Sequence, residues 1–393
     1  MRKIYLDHNA TTPVHPEVKK AIEPYLSDQF GNPSSIHWAG RDVRKGVEDS
    51  RQHIASFFGC QPLEIVLTSS GTESDNLAIK GIALRKGNEG KHIITSQVEH
   101  PAVMNACRFL EAQGFRLTCV PVNRYGIVEP DSVRKALTAD TILVSVMYAN
   151  NETGSIMPIP EIGAIAREAG ALMHTDAVQA AGKIPIDFAT LPVDLLTFSG
   201  HKVNALKGAG GLIVRRGVEI EAHIHGGHQE RGRRGGTENV VGIVGMGKSF
   251  QLLREGMEKE VDEVRRLRDV FEKGLFARIP DLVLNGHPSE RLPNTVNISF
   301  RFVEGEAMLL NLDMLGIACS SGSACTSGSL EPSPILMAMG ADPTDAQGAL
   351  RFSLGLGNTD EDVEYATSAI ESVVNKLRAL SPLVPSTKEA RAR

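Results

Sequence analysis

Several clusters of residues in this chain could do chemistry together. Ser69-Ser70-Gly71-Thr72-Glu73-Ser74 follows a strand-like run, Glu64-Ile65-Val66-Leu67-Thr68, and opens a helix-compatible stretch carrying Leu77, Ile79 and Leu84. Free amides and the dipole at a helix N-terminus attract anions, so this turn can cradle a phosphate; a Ser/Thr cap with an acidic first turn is equally an ordinary helix start. Phe198-Ser199-Gly200-His201-Lys202 places a lysine just past a second strand, and His174-Thr175-Asp176 ends a third with a carboxylate. A Schiff-base cofactor needs both: an amine to bond its aldehyde and a carboxylate to keep a pyridine nitrogen protonated. Singly, Lys202 reads as a solvated loop lysine and Asp176 as a helix cap. Both follow strands, however, and ligands of open parallel sheets sit at strand carboxyl ends, so the two share one cleft.

Five cysteines occur, at positions 60, 107, 119, 319 and 325, an odd number with no C-x-x-C pair. Neither a disulfide framework nor a thiolate metal site is indicated, and a reducing cytoplasm is expected. Cys325 stands apart. Its neighbours, Ser320-Ser321-Gly322-Ser323-Ala324 and Thr326-Ser327, suit a mobile loop, whereas a core cysteine normally has apolar neighbours. Cys107, Cys119 and Cys319 read as core thiols, and Cys60 as part of a turn before Pro62.

The elements that must position these residues alternate. Beyond the strand before Ser69, candidates are His92–Thr95, Leu117–Val120, Thr141–Val146, Ala171–His174, Asp194–Phe198 and Gly211–Val214, with longer helix-compatible segments between them. That repetition predicts an α/β fold, a mostly parallel sheet covered by helices on both faces. A long charged helix is then expected over Gly247–Arg278, followed by strands at Asn294–Phe300 and Ala349–Leu354 in a smaller α+β unit. The tail after Ser381 is expected to be frayed.

Composition narrows the classes. With 393 residues, 41% hydrophobic and 23% charged, the chain is long enough for two or three units without a staple. Its 42 basic and 47 acidic residues give a net charge of −5, which argues against nucleic-acid binding. No apolar run approaches the roughly 20 residues needed to span a bilayer, and the start, Met1-Arg2-Lys3-Ile4-Tyr5-Leu6-Asp7, has neither an apolar signal region nor a presequence pattern. No membrane or nucleic-acid partner is expected.

Successive motifs then carry a family resemblance: Tyr5-Leu6-Asp7-His8-Asn9-Ala10-Thr11-Thr12-Pro13, Gly31-Asn32-Pro33-Ser34-Ser35, Ser70-Gly71-Thr72-Glu73, Glu99-His100-Pro101, Asn150-Asn151-Glu152-Thr153-Gly154, His174 to Gln179, Ser199 to Lys202 and Ser320 to Ser327. In this order they resemble class V aminotransferase-fold enzymes, and more narrowly cysteine desulfurases of the NifS/IscS type with the long active-cysteine loop. The resemblance implies a pyridoxal-phosphate-dependent transferase of fold type I: a large domain over 16–250 with a mostly parallel seven-stranded sheet, and a small α+β domain from 1–15 and 251–380. A mobile cysteine loop at about 320–333 and a flexible tail at 381–393 complete that layout.

The resemblance also implies roles. Lys202 would hold the cofactor as a Schiff base and move the Cα proton. Asp176 would face the pyridinium, His100 would stack on the ring and shuttle protons, and Gln179 would bond its phenolic oxygen. Gly71, Thr72, Ser199 and His201 would hold the phosphate, joined by Thr237 reaching from the partner subunit, which implies a homodimer. Asn151 and Arg351 would hold the carboxylate of L-cysteine, an arginine fork suiting a carboxylate. Cys325 would receive sulfur as a persulfide, yielding L-alanine, and pass it to an acceptor protein such as an iron–sulfur scaffold. A class V aminotransferase or lyase, a selenocysteine lyase and a non-catalytic partner keeping the fold remain as alternatives. One departure from the family pattern stands out. Where a Gly-Pro-Lys-Gly turn usually follows the lysine, this chain reads Asn204-Ala205-Leu206-Lys207-Gly208; alanine takes positive φ less cheaply than glycine, so the turn holding Lys202 is expected to differ. Lys207 is a rival for the Schiff base that lacks the Ser-Gly-His context.

Overall fold

The computed structural model describes residues 2–87, 89–321 and 332–382. Cys325, the body of the expected cysteine loop and the tail from 383 onward lie outside the described residues.

Twelve strands are present among the described residues, in chain order β1 (Ile4–Tyr5), β2 (Ile65–Thr68), β3 (His92–Ser96), β4 (Arg116–Val120), β5 (Thr141–Ser145), β6 (Leu172–Asp176), β7 (Leu195–Ser199), β8 (Gly210–Val214), β9 (Leu282–Asn285), β10 (Thr295–Phe300), β11 (Ile317–Ala318) and β12 (Ala349–Ser353). Seven of them form one sheet in the order β2-β8-β7-β6-β5-β3-β4. Only β8 opposes its neighbours, pairing antiparallel with β2 and β7, while the other pairs are parallel. All seven expected strands are found, with ends shifted by one or two residues.

The sheet is buried on both faces, which is why its strands read as apolar runs rather than alternating ones. Alternate residues feed separate cores: Ile65, Leu67, Ile94, Val144, Leu196 and Ile213 pack on one face, Val66, Ile93, Leu143, Leu195 and Leu212 on the other. The helices Gly71–Lys86 and Pro101–Ala112 supply Leu77, Ile79, Ile82, Val103 and Leu110 to the second face. Trp38–Phe58 and the start of Val240–Arg278 cover the first. Cys107 is buried as expected, whereas Cys119 is only half-buried because β4 is an edge strand.

A second body of structure packs around an antiparallel sheet, β12-β10-β9, and a parallel pair, β1-β11. Its core joins Ile4 and Leu6 to Leu267, Phe271, Val296 and Phe352. The long helix was expected from Gly247 but starts at Val240, where the Asn239 side chain accepts a hydrogen bond from Gly242 N. Over its 39 residues it serves both cores, with Met246 and Phe250 in one and Leu267 and Phe271 in the other. Cys319 is half-buried against the second core, its thiol pushed up by burial.

Candidate active site

The carboxyl ends of the parallel strands converge on one cleft. After β2 the chain turns into the helix Gly71–Lys86, capped by Ser70, whose hydroxyl accepts from Glu73 N at 3.1 Å. The first amides of this helix have no intrahelical acceptor, which is the condition for anion binding. Gly71 is needed because the helix start presses on the neighbouring strand ends: a Cβ there would lie 2.8 Å from Val178 Cγ2 and 3.5 Å from Ser199 Cβ. Ser199 Oγ is buried and has no protein partner. An orphaned hydroxyl beside a helix N-terminus is what a phosphate would complete. His201 is tied to the N-terminal segment, its Nδ1 3.2 Å from Thr11 Oγ1 and its carbonyl accepting from Thr12 N at 2.9 Å.

Asp176 ends β6, buried, with Val178 N donating to Oδ1 at 2.9 Å. Burial pushes its carboxyl up, opposed by His100 and Lys202. A cationic ring nitrogen beside it would remove that penalty, so the site fits a pyridinium. His100 caps the helix Pro101–Ala112, its Nδ1 accepting from Ala102 N at 3.1 Å. The neutral ring therefore carries its proton on Nε2, and burial pulls its pKa down. Lys202 Nζ donates to the carbonyls of Asn9 and Ala10 at 2.6 and 2.7 Å. Gln179 Nε2 shares the Asn9 carbonyl at 2.9 Å.

On the opposite wall Arg351, 3% exposed, reaches from β12. Its Nη2 pairs with Asp7 Oδ1 at 2.8 Å and its Nη1 donates to the Asn151 carbonyl at 3.0 Å. Arg351 Nε and Asn151 Oδ1 are buried without partners, so one edge of the guanidinium remains for an anion. Asn9 joins the two walls: its carbonyl takes Lys202, and its Nδ2 donates to the Asn151 carbonyl at 3.2 Å.

The cleft thus brings together Gly71, His100, Asn151, Asp176, Gln179, Ser199, His201, Lys202 and Arg351, with Thr72 exposed in the first helical turn. Thr237 is not brought in; it lies on an exposed loop beside Ser69 and Arg234, the latter paired with Glu73 at 2.8 Å. Sequence reasoning gave no role to Asn9, although it sits inside a quoted motif, because a backbone carbonyl leaves no trace in residue type. It also missed Glu99, fully enclosed behind the cleft, where its carboxylate accepts from Ser96 Oγ at 2.5 Å and Met147 N at 3.0 Å, and burial pushes it up to about 8.

The altered turn after Lys202 is resolved by a different residue than expected. Asn204, not Ala205, takes the left-handed conformation, at φ 58°, and Gly208 takes φ 83°. Asparagine tolerates that region, and Asn204 is anchored by its Nδ2 donating to the Pro13 carbonyl at 3.0 Å and its amide to Thr12 Oγ1 at 2.8 Å. Ala205 stays outside positive φ and is buried.

A mostly parallel α/β sheet with a lysine, an aspartate and an orphaned phosphate-turn hydroxyl at its strand ends defines a pyridoxal-phosphate enzyme of fold type I. The chain belongs to the class-V aminotransferase family, whose model matches residues 4–366. It is 51% identical over 381 residues to a cysteine desulfurase IscS of Dictyoglomus turgidum, covering 97% of each chain. It is 50% identical to a cysteine desulfurase IscS of Methanosarcina thermophila, covering 98% of this chain and 95% of the relative. Among solved structures, a NifS-like protein superposes with a TM-score of 0.90 at 36% identity, over 96% of this chain and all (100%) of the other. A structure of SspA in complex with cysteine superposes with a TM-score of 0.81 at 35% identity, over 90% of this chain and 99% of the other. No helix among the described residues is long and apolar enough to cross a membrane.

Proposed function

We propose that this chain is a pyridoxal-phosphate-dependent cysteine desulfurase, converting L-cysteine to L-alanine and passing the sulfur to Cys325. The observation that carries this reading is the Asn9 bridge, which sets an amine, Lys202, and a carboxylate-binding fork, Arg351, on facing walls of one cleft. That pairing suits an α-amino acid. The high identity to cysteine desulfurases along nearly the whole chain supports the choice of amino acid.

Pyridoxal phosphate, when bound, supplies an electron sink for charge developing at the substrate Cα. Gly71, Thr72, Ser199 and His201 would hold its phosphate, Asp176 would face its ring nitrogen, Gln179 its phenolic oxygen, and His100 its ring face. Arg351 and Asn151 bind the substrate carboxylate. Lys202 takes the Cα proton. The Cys325 thiolate forms an S–S bond with the substrate sulfur while the Cβ–S bond breaks, its electron pair going to Cβ; protonation there and return of the Cα proton from Lys202 give alanine, and the persulfide stays on Cys325.

The same reading covers the assembly. Phe30, Ile36 and Trp38 are large exposed apolar side chains near one another in sequence, and Thr237 is exposed; both support a homodimer in which Thr237 completes the partner's phosphate site. The split of the apolar cores supports a large domain over 16–250 and a small one from 1–15 and 251–380. A sulfur-acceptor protein and a cytoplasmic setting complete the proposal.

The test is alanine released from L-cysteine with a reductant present, wild type against Cys325→Ala. Alanine from the wild type alone is expected. Equal activity in both would remove Cys325 from the mechanism, and silence in both would sink the desulfurase reading.

A further inference from the structure

Beside Lys202 lies a small cavity of about 50 Å³ lined by His8, Lys183, Lys202, Glu260 and Asn294 among apolar side chains of the long helix. Lys183 is the unexpected member. It follows β6 by seven residues, one helical-turn-like step past Gln179, and is half-buried, with part of its surface on this cavity. Its Nζ donates to Gln179 Oε1 at 2.8 Å and lies 3.5 Å from Asn9 Oδ1.

These bonds decide how Gln179 stands. A carboxamide can be flipped end for end at little steric cost, so its orientation is set by its partners. Here the oxygen is claimed by an amine that can only donate when charged, and Nε2 gives one hydrogen to the Asn9 carbonyl. The second Nε2 hydrogen is left for an acceptor in the cleft. The same Asn9 carbonyl receives Lys202 Nζ at 2.6 Å, so Lys183, Gln179, Asn9 and Lys202 form one connected chain of hydrogen bonds.

We propose that Lys183 is a positioning residue of the cofactor site: it locks the Gln179 carboxamide with its N–H toward the cofactor's phenolic oxygen, and it places a cation beside Lys202. This rests on the cleft being a pyridoxal-phosphate site. Neighbouring charges support it. Burial, Lys202 and Arg351 together pull the Lys183 amine down to about 7, and Lys183 in turn helps pull His8 down to about 4. Glu260 is the acidic group of the long helix that lines this cavity. Like charges repel across a poorly screened interior, so while Lys183 is charged it disfavours a charge on the Lys202 nitrogen.

The experiment compares wild type, Lys183→Met and Lys183→Gln, all loaded with pyridoxal phosphate. One measurement is the pH midpoint of the visible absorbance change of the bound cofactor; the other is cofactor retention on dilution. Lys183→Met is expected to raise the midpoint by about one pH unit, as loss of a nearby like charge does, and to weaken retention several-fold. Lys183→Gln, which keeps a donor for Gln179 Oε1 but no charge, should raise the midpoint equally and retain cofactor better than the methionine variant. In a Gln179→Leu background, Lys183→Met should cause no further loss of retention. An unmoved midpoint in both variants overturns the proposal, as does an undiminished retention loss in that background. A variant that merely loosened the fold would lower thermal stability without moving the midpoint. A wild-type protein with no visible cofactor band would instead sink the pyridoxal-phosphate reading itself. Should the methionine variant fail to fold, the glutamine variant alone decides through its midpoint.

Discussion

Arg351→Lys isolates the role of the guanidinium fork. Two of the five N–H donors of Arg351 are spent on protein, one on Asp7 and one on the Asn151 carbonyl, while Nε is buried and unpartnered. A substrate carboxylate can take Nε and an adjacent Nη together. A lysine ammonium keeps the charge and can still pair with Asp7, so the fold and the Asp7 contact survive, but it cannot present two parallel donors. The variant therefore loses one charge-assisted hydrogen bond, worth about 1.5–3 kcal/mol. At about 1.4 kcal/mol per factor of ten, KM for L-cysteine should rise roughly 10- to 150-fold. The contact is made to the unreacting carboxylate in ground and transition states alike, so kcat should change little. Steady-state alanine formation over a range of cysteine concentrations measures both. A KM within about twofold of wild type would refute the assignment of the fork, and a fall in kcat at unchanged KM would move Arg351 into the chemical step.

Two further outcomes test the framework around the cleft. Gly71→Ala drives a Cβ to 2.8 Å from Val178 Cγ2, which should push the helix start off Ser199 at a cost of about 1–3 kcal/mol and weaken cofactor binding by at least several-fold; equilibrium dialysis of the cofactor showing wild-type affinity would mean the helix start does not hold the phosphate. Glu99→Gln addresses pH dependence. Burial raises the Glu99 carboxyl from 4.5 to about 8, so the folded state keeps a proton that the unfolded chain releases, and stability falls as pH rises between those values. Glutamine can keep an oxygen for Met147 N without titrating, so the decline of melting temperature with pH should flatten in the variant. Glu152, raised to about 7 by burial and bonded to Ser333 Oγ at 2.6 Å, leaves some slope of the same sign. Parallel melting curves for the two proteins across pH 5–8 would remove Glu99 as the source.

Much of the fold and cleft was legible in the order of the residues. Apolar runs bounded by turn-formers marked the strands of the large sheet, because a strand covered on both faces leaves no polar alternation to confuse the pattern. The cleft followed from the same regularity: residues just past parallel strands all leave the sheet at one edge, so Gly71, His100, Asp176, Ser199 and Lys202 were bound to meet. The motifs and their order carried the cofactor and the reaction class, since those depend on residue types.

Tertiary structure alone decided what depends on backbone atoms, on enclosure and on distant partners. The Asn9 carbonyl that collects Lys202 and Gln179 is a main-chain group, and any residue at that position would read alike for it. The doubt raised by Ala205 disappeared because the left-handed position fell one residue earlier, on Asn204, whose side chain found the Pro13 carbonyl. Nothing in the order of the residues singled out Lys183. Only the fold sets its amine on Gln179 and on a cavity shared with the long helix and Asn294, since such contacts depend on everything that folds around a residue and not on the residue itself.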